Sequence, residues 1–594
     1  MVDFGRNFAG QYKFRLRGRA GQTITLRCGE SLNADGSIFM ENYYTGPADT
    51  YETYTFKGDG EEEWGPEFMY HGFRYLQIIG LDEQPDASAF TAMRIRSDME
   101  CHGTVQTSNP LINDIHAICR DAIASQLYNS ITDCPHREKL GWLDVPNEMY
   151  VSLNMNFQMQ NFYKKVVMDC FDAQRADGRV PSVAPYYMEV YGDDPNWGGA
   201  AILVPYRNWR YYGDKSLMTQ NYGQMKSLLD HYTANTTNYI INNSFSVLSD
   251  WGQETAGVSP LVPTEFTETT TYYYLVRVMA EMAAELGHAG DTATYNALAA
   301  NIKAAFNAKF YTAATHRYTG VSGGGGRQGE QAMPLYYGLV PDGDEQAVAD
   351  VLAARVEADN YKVKTGEIAL KPVFMSLAKY GYNHVVWQMA KQTDCPSYGY
   401  WVVQGYTTTP EYWDVGAFSQ NHCMMDHIEE WFYTQLGGIQ NTGDAFRTFD
   451  IRPYIPADLN SMDVSTQCAY GTIRSAWQRT ADGYRFRFTV PAGTTATVAL
   501  PTVSGKVLKE NGADIAAGQN GVFSVTYGDT ETQVVLGSGS YSFTLDEGSP
   551  TGIHRHNSET GKGVPAVYNL NGQRVLSQTW RGVCIIDGNK YIRK

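Results

Sequence analysis

The hydrophobic and polar positions of this chain change period twice. From residue 1 to about 100, apolar and polar residues alternate between turn signals, as in Tyr12-Lys13-Phe14-Arg15-Leu16 and Thr23-Ile24-Thr25-Leu26-Arg27, with Tyr75-Leu76-Gln77-Ile78-Ile79 as a further strand. A period of two is what a half-buried sheet demands, since successive side chains point to opposite faces. Residues 1–100 are therefore predicted to form an N-terminal β-sandwich. After Ser108-Asn109-Pro110 the spacing becomes helical, with Leu111, Ile115, Ile118 and Ala122 on one face and the proline placed where a helix tolerates it. Helical stretches follow at 152–171, 215–235, 272–287, 292–309, 345–358, 371–393 and 421–436, enough to make residues 101–440 a helical toroid. Alternation returns in Tyr484-Arg485-Phe486-Arg487-Phe488 and Ala496-Thr497-Val498-Ala499-Leu500, so 441–546 reads as a second β-sandwich. Residues 547–594 read as a polar linker and a small hairpin unit with Asn571-Gly572 turn chemistry.

At 594 residues the chain exceeds what one core supports, consistent with several domains. The net charge of −17 and pI near 5.2 argue against nucleic acid or an anionic membrane as partner, because the summed field repels both. A neutral substrate is easier to accommodate. No run approaches the roughly 20 apolar residues of a membrane span. The opening Met1-Val2-Asp3-Phe4-Gly5 enters a strand at once, with no signal peptide in this chain, so localisation is not read directly. Nine cysteines without CxxC spacing suggest free thiols rather than a disulfide framework or zinc site. No metal and no cofactor is expected. His116, His422 and His427 are separated by helical sequence, and the first reads as structural. The run Gly323-Gly324-Gly325-Gly326 lacks the lysine and hydroxyl of a phosphate loop and reads as a connector.

Candidate chemistry concentrates in Thr132-Asp133-Cys134-Pro135-His136-Arg137-Glu138-Lys139-Leu140-Gly141-Trp142. Pro135 bars the preceding residue from the α region, which makes this an irregular loop, and loops on a rigid scaffold carry catalytic side chains. In isolation it equally fits a solvated loop with an Arg137/Glu138 surface pair. Cys134 as a nucleophile lacks a base at any fixed spacing and fits a core thiol better. A second proline-stiffened loop, Thr407-Thr408-Thr409-Pro410-Glu411-Tyr412-Trp413-Asp414, supplies another carboxylate among aromatics. Glycoside hydrolysis needs two carboxyl groups flanking the scissile bond, one to protonate the leaving oxygen and one to activate water or attack carbon. Glu138 and Glu411 meet that demand, although Glu411 alone reads as a surface or capping group. Between them, Asp193-Asp194-Pro195-Asn196-Trp197 and Ser249-Asp250-Trp251-Gly252 each join carboxylates to an indole, a combination that can stack on a sugar ring and accept from its hydroxyls.

These residues resemble the bacterial α-L-rhamnosidases of glycoside hydrolase family 78. Asp133-Cys134-Pro135 with Arg137-Glu138-Lys139-Leu140-Gly141-Trp142 is similar to that family's DCPxR…E[RK]xGW block, Thr408-Thr409-Pro410-Glu411-Tyr412-Trp413 to its TTxWExW block, and Asn421-His422 to its following NH. Val2–Gly10 and Tyr70–Tyr75 resemble the sandwich before its barrel. The resemblance implies an (α/α)6 barrel catalytic domain flanked by N- and C-terminal β-sandwich domains, and an exo-acting, inverting α-L-rhamnosidase. It makes Glu138 the general acid and Glu411 the general base, with Asp133, Arg137, Trp142, Trp197, Asp250, Trp251, Trp413 and His422 around the rhamnose. Glu138 then requires apolar walls such as Trp142, or negative charge from Asp133, to stay protonated. Arg137 should turn to the sugar hydroxyls instead. Inversion further requires carboxyl groups roughly 6.5 to 9.5 Å apart. The chain departs from the family at Leu143-Asp144-Val145-Pro146, where TGD is common, and at Pro410, where an aromatic is common; both put the leaving-group subsite in question. The family's usual additional N-terminal sandwich is not found. Residues 563–594 are similar to the C-terminal sorting or anchoring unit of secreted Bacteroidetes proteins, which implies an exported protein. The implied partner is a rhamnose-containing plant polysaccharide, oligosaccharide or glycoside; another sugar specificity on the same scaffold and a non-catalytic carbohydrate-binding protein stay open.

Overall fold

The computed structural model describes residues 1–40, 50–187, 194–241, 248–252, 262–320, 326–414, 418–481, 483–503 and 505–547, and four strands beyond. Two compact units result, Met1–Glu547 and Gly548–Lys594.

The alternation at the N-terminus becomes a bent six-stranded sheet. Its long strand Val2–Arg17 pairs antiparallel with His71–Ile79, Phe90–Arg94 and Glu61–Trp64 in turn. The inward set Phe8, Tyr12, Phe14 and Leu16 packs on Ile24, Leu26, Phe73 and Leu76. Between Asp3 and Phe8 the register shifts, and Gly5 takes φ +78 there, a left-handed conformation that glycine adopts without a Cβ penalty.

The helical domain opens where the sequence places it. Helix Pro110–Gln126 begins with proline at N1 and Asn109 as cap, its side chain accepting from Leu111 N–H. Helix Glu345–Ala358 matches its predicted span. The stretch 371–393 divides into Glu367–Lys379 and Asn383–Lys391, with Gly381 at φ +90 in the turn. Two of the longer helices outside the predicted spans are Ala200–Tyr212 and Gln328–Tyr337; each carries an internal proline, which argues against a helix in the sequence. No described helix is long and apolar enough to cross a membrane.

C-terminal to the helices lie a five-stranded and a seven-stranded sheet. The edge strand of the larger one is Thr104–Thr107, from before the first helix, paired antiparallel with Ser461–Cys468. The chain thus leaves the C-terminal sheet to build the helical domain and returns to it. The terminal unit is a four-stranded antiparallel sheet of Val567–Asn569, Arg574–Val575, Gly582–Ile586 and Asn589–Arg593. The polar linker at 550–560, Gly323 to Gly325 and Asp193 lie outside the described residues.

Candidate active site

The loop after helix Pro110–Gln126 is closed on itself by Asp133. Its backbone N–H donates to Leu140 O at 3.0 Å, and its Oδ1 accepts from Leu140 N–H at 2.9 Å. Glu138 N–H donates to Cys134 Sγ at 3.3 Å, so the buried thiol shapes the loop. Gly141 lies against Ala184 so closely that a Cβ would meet its carbonyl oxygen at 2.2 Å. Lys139, at φ 57, donates to Tyr70 O at 2.5 Å and lies over the Tyr70 ring.

The second loop is a hairpin-like pair of segments. Glu411 N–H donates to Ser419 O at 2.9 Å and His422 N–H to Thr409 O at 2.7 Å. Pro410 falls between these two rungs, where its missing N–H costs no hydrogen bond. The two loops face each other across a cavity. Glu138, Glu411, Asp133 and Arg137 line it, walled by Trp142, Trp197 and Trp251, with His422 also present.

Two predicted residues are not brought there. Asp250 is fully buried, but its carboxylate accepts from Thr365 Oγ1 and Gly366 N–H at 2.8 Å and from Ala369 N–H at 3.0 Å. It caps helix Glu367–Lys379 by accepting from one hydroxyl and two backbone N–H groups at the helix start. Trp413 stacks on Trp401 with centroids 4.2 Å apart and planes 6° apart, wholly inside the core. Asp194 likewise caps the short helix Pro195–Gly198 that presents Trp197.

Arg137 also departs from expectation. Its Nη1 donates to Glu411 Oε2 at 2.7 Å and its Nη2 stands 3.2 Å from Glu138 Oε1, so the guanidinium bridges both carboxylates instead of turning from them. The Phe418 ring lies 4.7 Å away. Two contacts through one planar fork hold the facing oxygens within roughly 8 Å of each other, a bound that admits both the narrower spacing of retaining and part of the wider spacing of inverting glycosidases. Trp142 is not a purely apolar wall, because its Nε1–H donates to Glu138 Oε2 at 2.8 Å.

Burial dominates the electrostatics. It pushes the Glu411 carboxyl up to about 7, with Arg137 pulling down and Glu138 pushing up. Asp133 is raised well above the carboxylate range by burial and then by Glu138. His422 is held down to about 3 by burial and Arg137, so it is a neutral imidazole. Sequence reasoning missed Glu367, Phe418, Leu248 and Met424 as lining residues and left Asp144 unassigned. Asp144 and Glu367 interact through a side-chain hydrogen bond, and burial raises both carboxyls, Glu367 well above its ordinary value. A glutamate directly after Gly366 and before the apolar run Ile368-Ala369-Leu370 was the signal for Glu367; Phe418 offered none.

Three family models match the chain: the bacterial alpha-L-rhamnosidase 6 hairpin glycosidase domain over residues 100–436, the concanavalin-like domain over 1–96 and the C-terminal domain over 438–513. An alpha-L-rhamnosidase of Streptomyces avermitilis is 28% identical over 558 residues, covering 92% of this chain and 52% of that protein. One from Formosa agariphila is 28% identical, with 92% and 60% covered, so the chain spans only about half to three fifths of these relatives. Among solved structures, alpha-L-rhamnosidase from Dictyoglumus thermophilum superimposes with a TM-score of 0.85 at 30% identity, covering 92% of this chain and 61% of that one. The Streptomyces avermitilis enzyme complexed with L-rhamnose gives 0.83 at 27% identity, covering 91% and 51%.

Proposed function

The chain belongs to the bacterial alpha-L-rhamnosidases, whose glycosidase model spans more than half of it, and from that premise we propose that it hydrolyses terminal α-L-rhamnose from plant polysaccharides, oligosaccharides or glycosides with inversion. The observation that carries this reading is the placement of Glu138 and Glu411 on opposite loops of one indole-walled cavity, linked by Arg137.

Glu138 is the general acid. Arg137 stands 2.7 Å from Glu411 and 3.2 Å from Glu138, so one guanidinium serves both carboxylates. Glu138 gives its proton to the glycosidic oxygen as the C–O bond breaks. Glu411 is the general base: it takes a proton from water attacking the far side of the anomeric carbon. A carboxyl near 7 suits this role, since a base is most effective when its pKa lies close to the working pH. Arg137 holds Glu411 ionised while the oxocarbenium-like charge develops. Trp142, Trp197 and Trp251 wall the ring on its apolar faces, and the Asp144–Glu367 pair offers carboxyl oxygens as acceptors to its hydroxyls.

Release of p-nitrophenol from p-nitrophenyl α-L-rhamnopyranoside tests the activity. Wild type should turn over, and Glu411→Gln should lose at least 10²-fold, the usual size of a general acid–base contribution. Absence of hydrolysis by wild type, with L-rhamnose still bound, would favour a carbohydrate-binding protein. We also infer export, supported by the likeness of residues 563–594 to bacterial sorting tails; immunodetection only in the cytosolic fraction of the source cells would refute it.

A further inference from the structure

The N-terminal β domain reaches both catalytic loops through one buried carboxylate. Glu30 follows strand Thr23–Gly29 and is 4% exposed. Its Oε1 accepts from Asn7 Nδ2 at 2.9 Å. Its Oε2 accepts from Gln420 N–H at 2.9 Å and lies 3.0 Å from His136 Nε2. His136 is two residues before Glu138, and Gln420 is next to Ser419, whose carbonyl receives the Glu411 N–H. One carboxylate therefore ties the loop of the acid to the hairpin of the base.

Asn7 completes the strap. Its backbone N–H donates to Thr407 Oγ1 at 2.8 Å, and its Nδ2 also reaches Gln420 O at 3.3 Å. The bulge after Asp3 is what offers Asn7 to this contact, since it frees residues 4–7 from the ladder with His71–Ile79. On that neighbouring strand, a Cβ at Gly72 would meet Pro135 Cγ at 2.5 Å and His136 Cβ at 3.1 Å, so the sheet lies directly on the acid's loop.

We propose that Glu30 is a positioning residue for the hydrolysis, setting the separation of Glu138 and Glu411 by holding His136 and Gln420 together. This rests on the rhamnosidase reading above. A sheet that only had to cover a helical domain would do so with apolar side chains, because a buried polar group is costly unless its hydrogen bonds are made. Burial pushes Glu30 up to about 8 against the pull of Asn7 and Gln420, and holds His136 well below its ordinary value with help from Arg137 and Lys139. The costly pair stands at the junction where the spacing of the two glutamates is decided, and a misplacement of about 1 Å can cost 10²-fold in rate.

The test compares Glu30→Ala, Glu30→Gln and Asn7→Ala with wild type by kcat and KM on p-nitrophenyl α-L-rhamnopyranoside, calorimetric L-rhamnose binding and thermal unfolding. Glu30→Ala should keep rhamnose affinity within about threefold and lose about 10²-fold in kcat. Glu30→Gln should recover to within about tenfold of wild type, because its amide oxygen still accepts from Gln420 while the Asn7 amide turns over. Asn7→Ala should fall between them. If Glu30→Ala does not fold, the other two carry the same ordering. Unchanged kcat per folded molecule, equal loss of kcat and rhamnose affinity, or no recovery in Glu30→Gln would overturn the proposal. An active wild type with unaffected variants overturns this inference alone; an inactive wild type overturns the rhamnosidase reading and this inference with it.

Discussion

Replacing Arg137 by methionine removes the cation that contacts both glutamates while keeping much of its volume. The side chains of Arg137 and Glu411 are 11% and 5% exposed, so the charge pair at 2.7 Å is poorly screened. At roughly 4 Å between charge centres and an effective dielectric of about 20, it is worth about 4 kcal/mol. That is an upper limit, and an arginine beside a carboxylate typically lowers its pKa by about one to three. Without Arg137, the Glu411 carboxyl should rise from about 7 by that amount. A general base works only when ionised, so kcat/KM climbs as pH rises through this pKa. In Arg137→Met the climb should move to higher pH, with activity at pH 6 down by about 10- to 10³-fold and part of the loss recovered above pH 8. The assay is kcat/KM on an aryl rhamnoside from pH 5 to 9. An acidic limb that stays near 7 or moves lower would refute the assignment of Arg137 to the base.

Asp250→Ala removes three hydrogen bonds from the start of helix Glu367–Lys379 and should lower stability by about 2 to 4 kcal/mol in urea unfolding, while costing far less activity than Glu411→Gln. Trp413→Phe should reduce stability by about 1 to 3 kcal/mol with the KM for p-nitrophenyl rhamnoside unchanged, whereas Trp251→Ala should raise that KM with little effect on stability. Glu30 titrates higher in the folded chain than its ordinary 4.5, so the folded state binds the proton more tightly; its stabilisation is full below about 4.5 and is lost as pH rises towards about 8. The melting temperature of wild type relative to Glu30→Gln should therefore fall between pH 5 and 8, and a gap that widens would contradict the burial argument. Glu138→Gln should lose far more on a substrate with an alkyl leaving group than on p-nitrophenyl rhamnoside, because a good leaving group needs little protonation; equal losses would count against Glu138 as the acid.

The parts of this fold that the sequence shows are those written locally. Asn109-Pro110 with Ile115, Ile118 and Ala122 announces a helix because cap, proline and one apolar face agree. Ala200–Tyr212 and Gln328–Tyr337 escape notice because their internal prolines argue against a helix. In the site, Glu138 and Glu411 are legible from proline-stiffened loops rich in aromatics. Composition names neighbours but not directions, and the two misplaced residues follow from that. Asp250 turns to a helix end 115 or more residues downstream, and Trp413 turns inward to Trp401. Glu367 enters the cavity only because that same capped helix starts there, and Glu30 meets the catalytic loops only through the tertiary packing of the bulged first strand.

Time-resolved proton NMR of rhamnose released from p-nitrophenyl α-L-rhamnopyranoside tests the two-glutamate displacement most directly. The account predicts that β-L-rhamnose forms first and mutarotates later, and that Glu411→Gln forms neither anomer at an appreciable rate. First appearance of α-L-rhamnose would mean retention through a covalent intermediate and would contradict the assignment of Glu411 as a base acting through water.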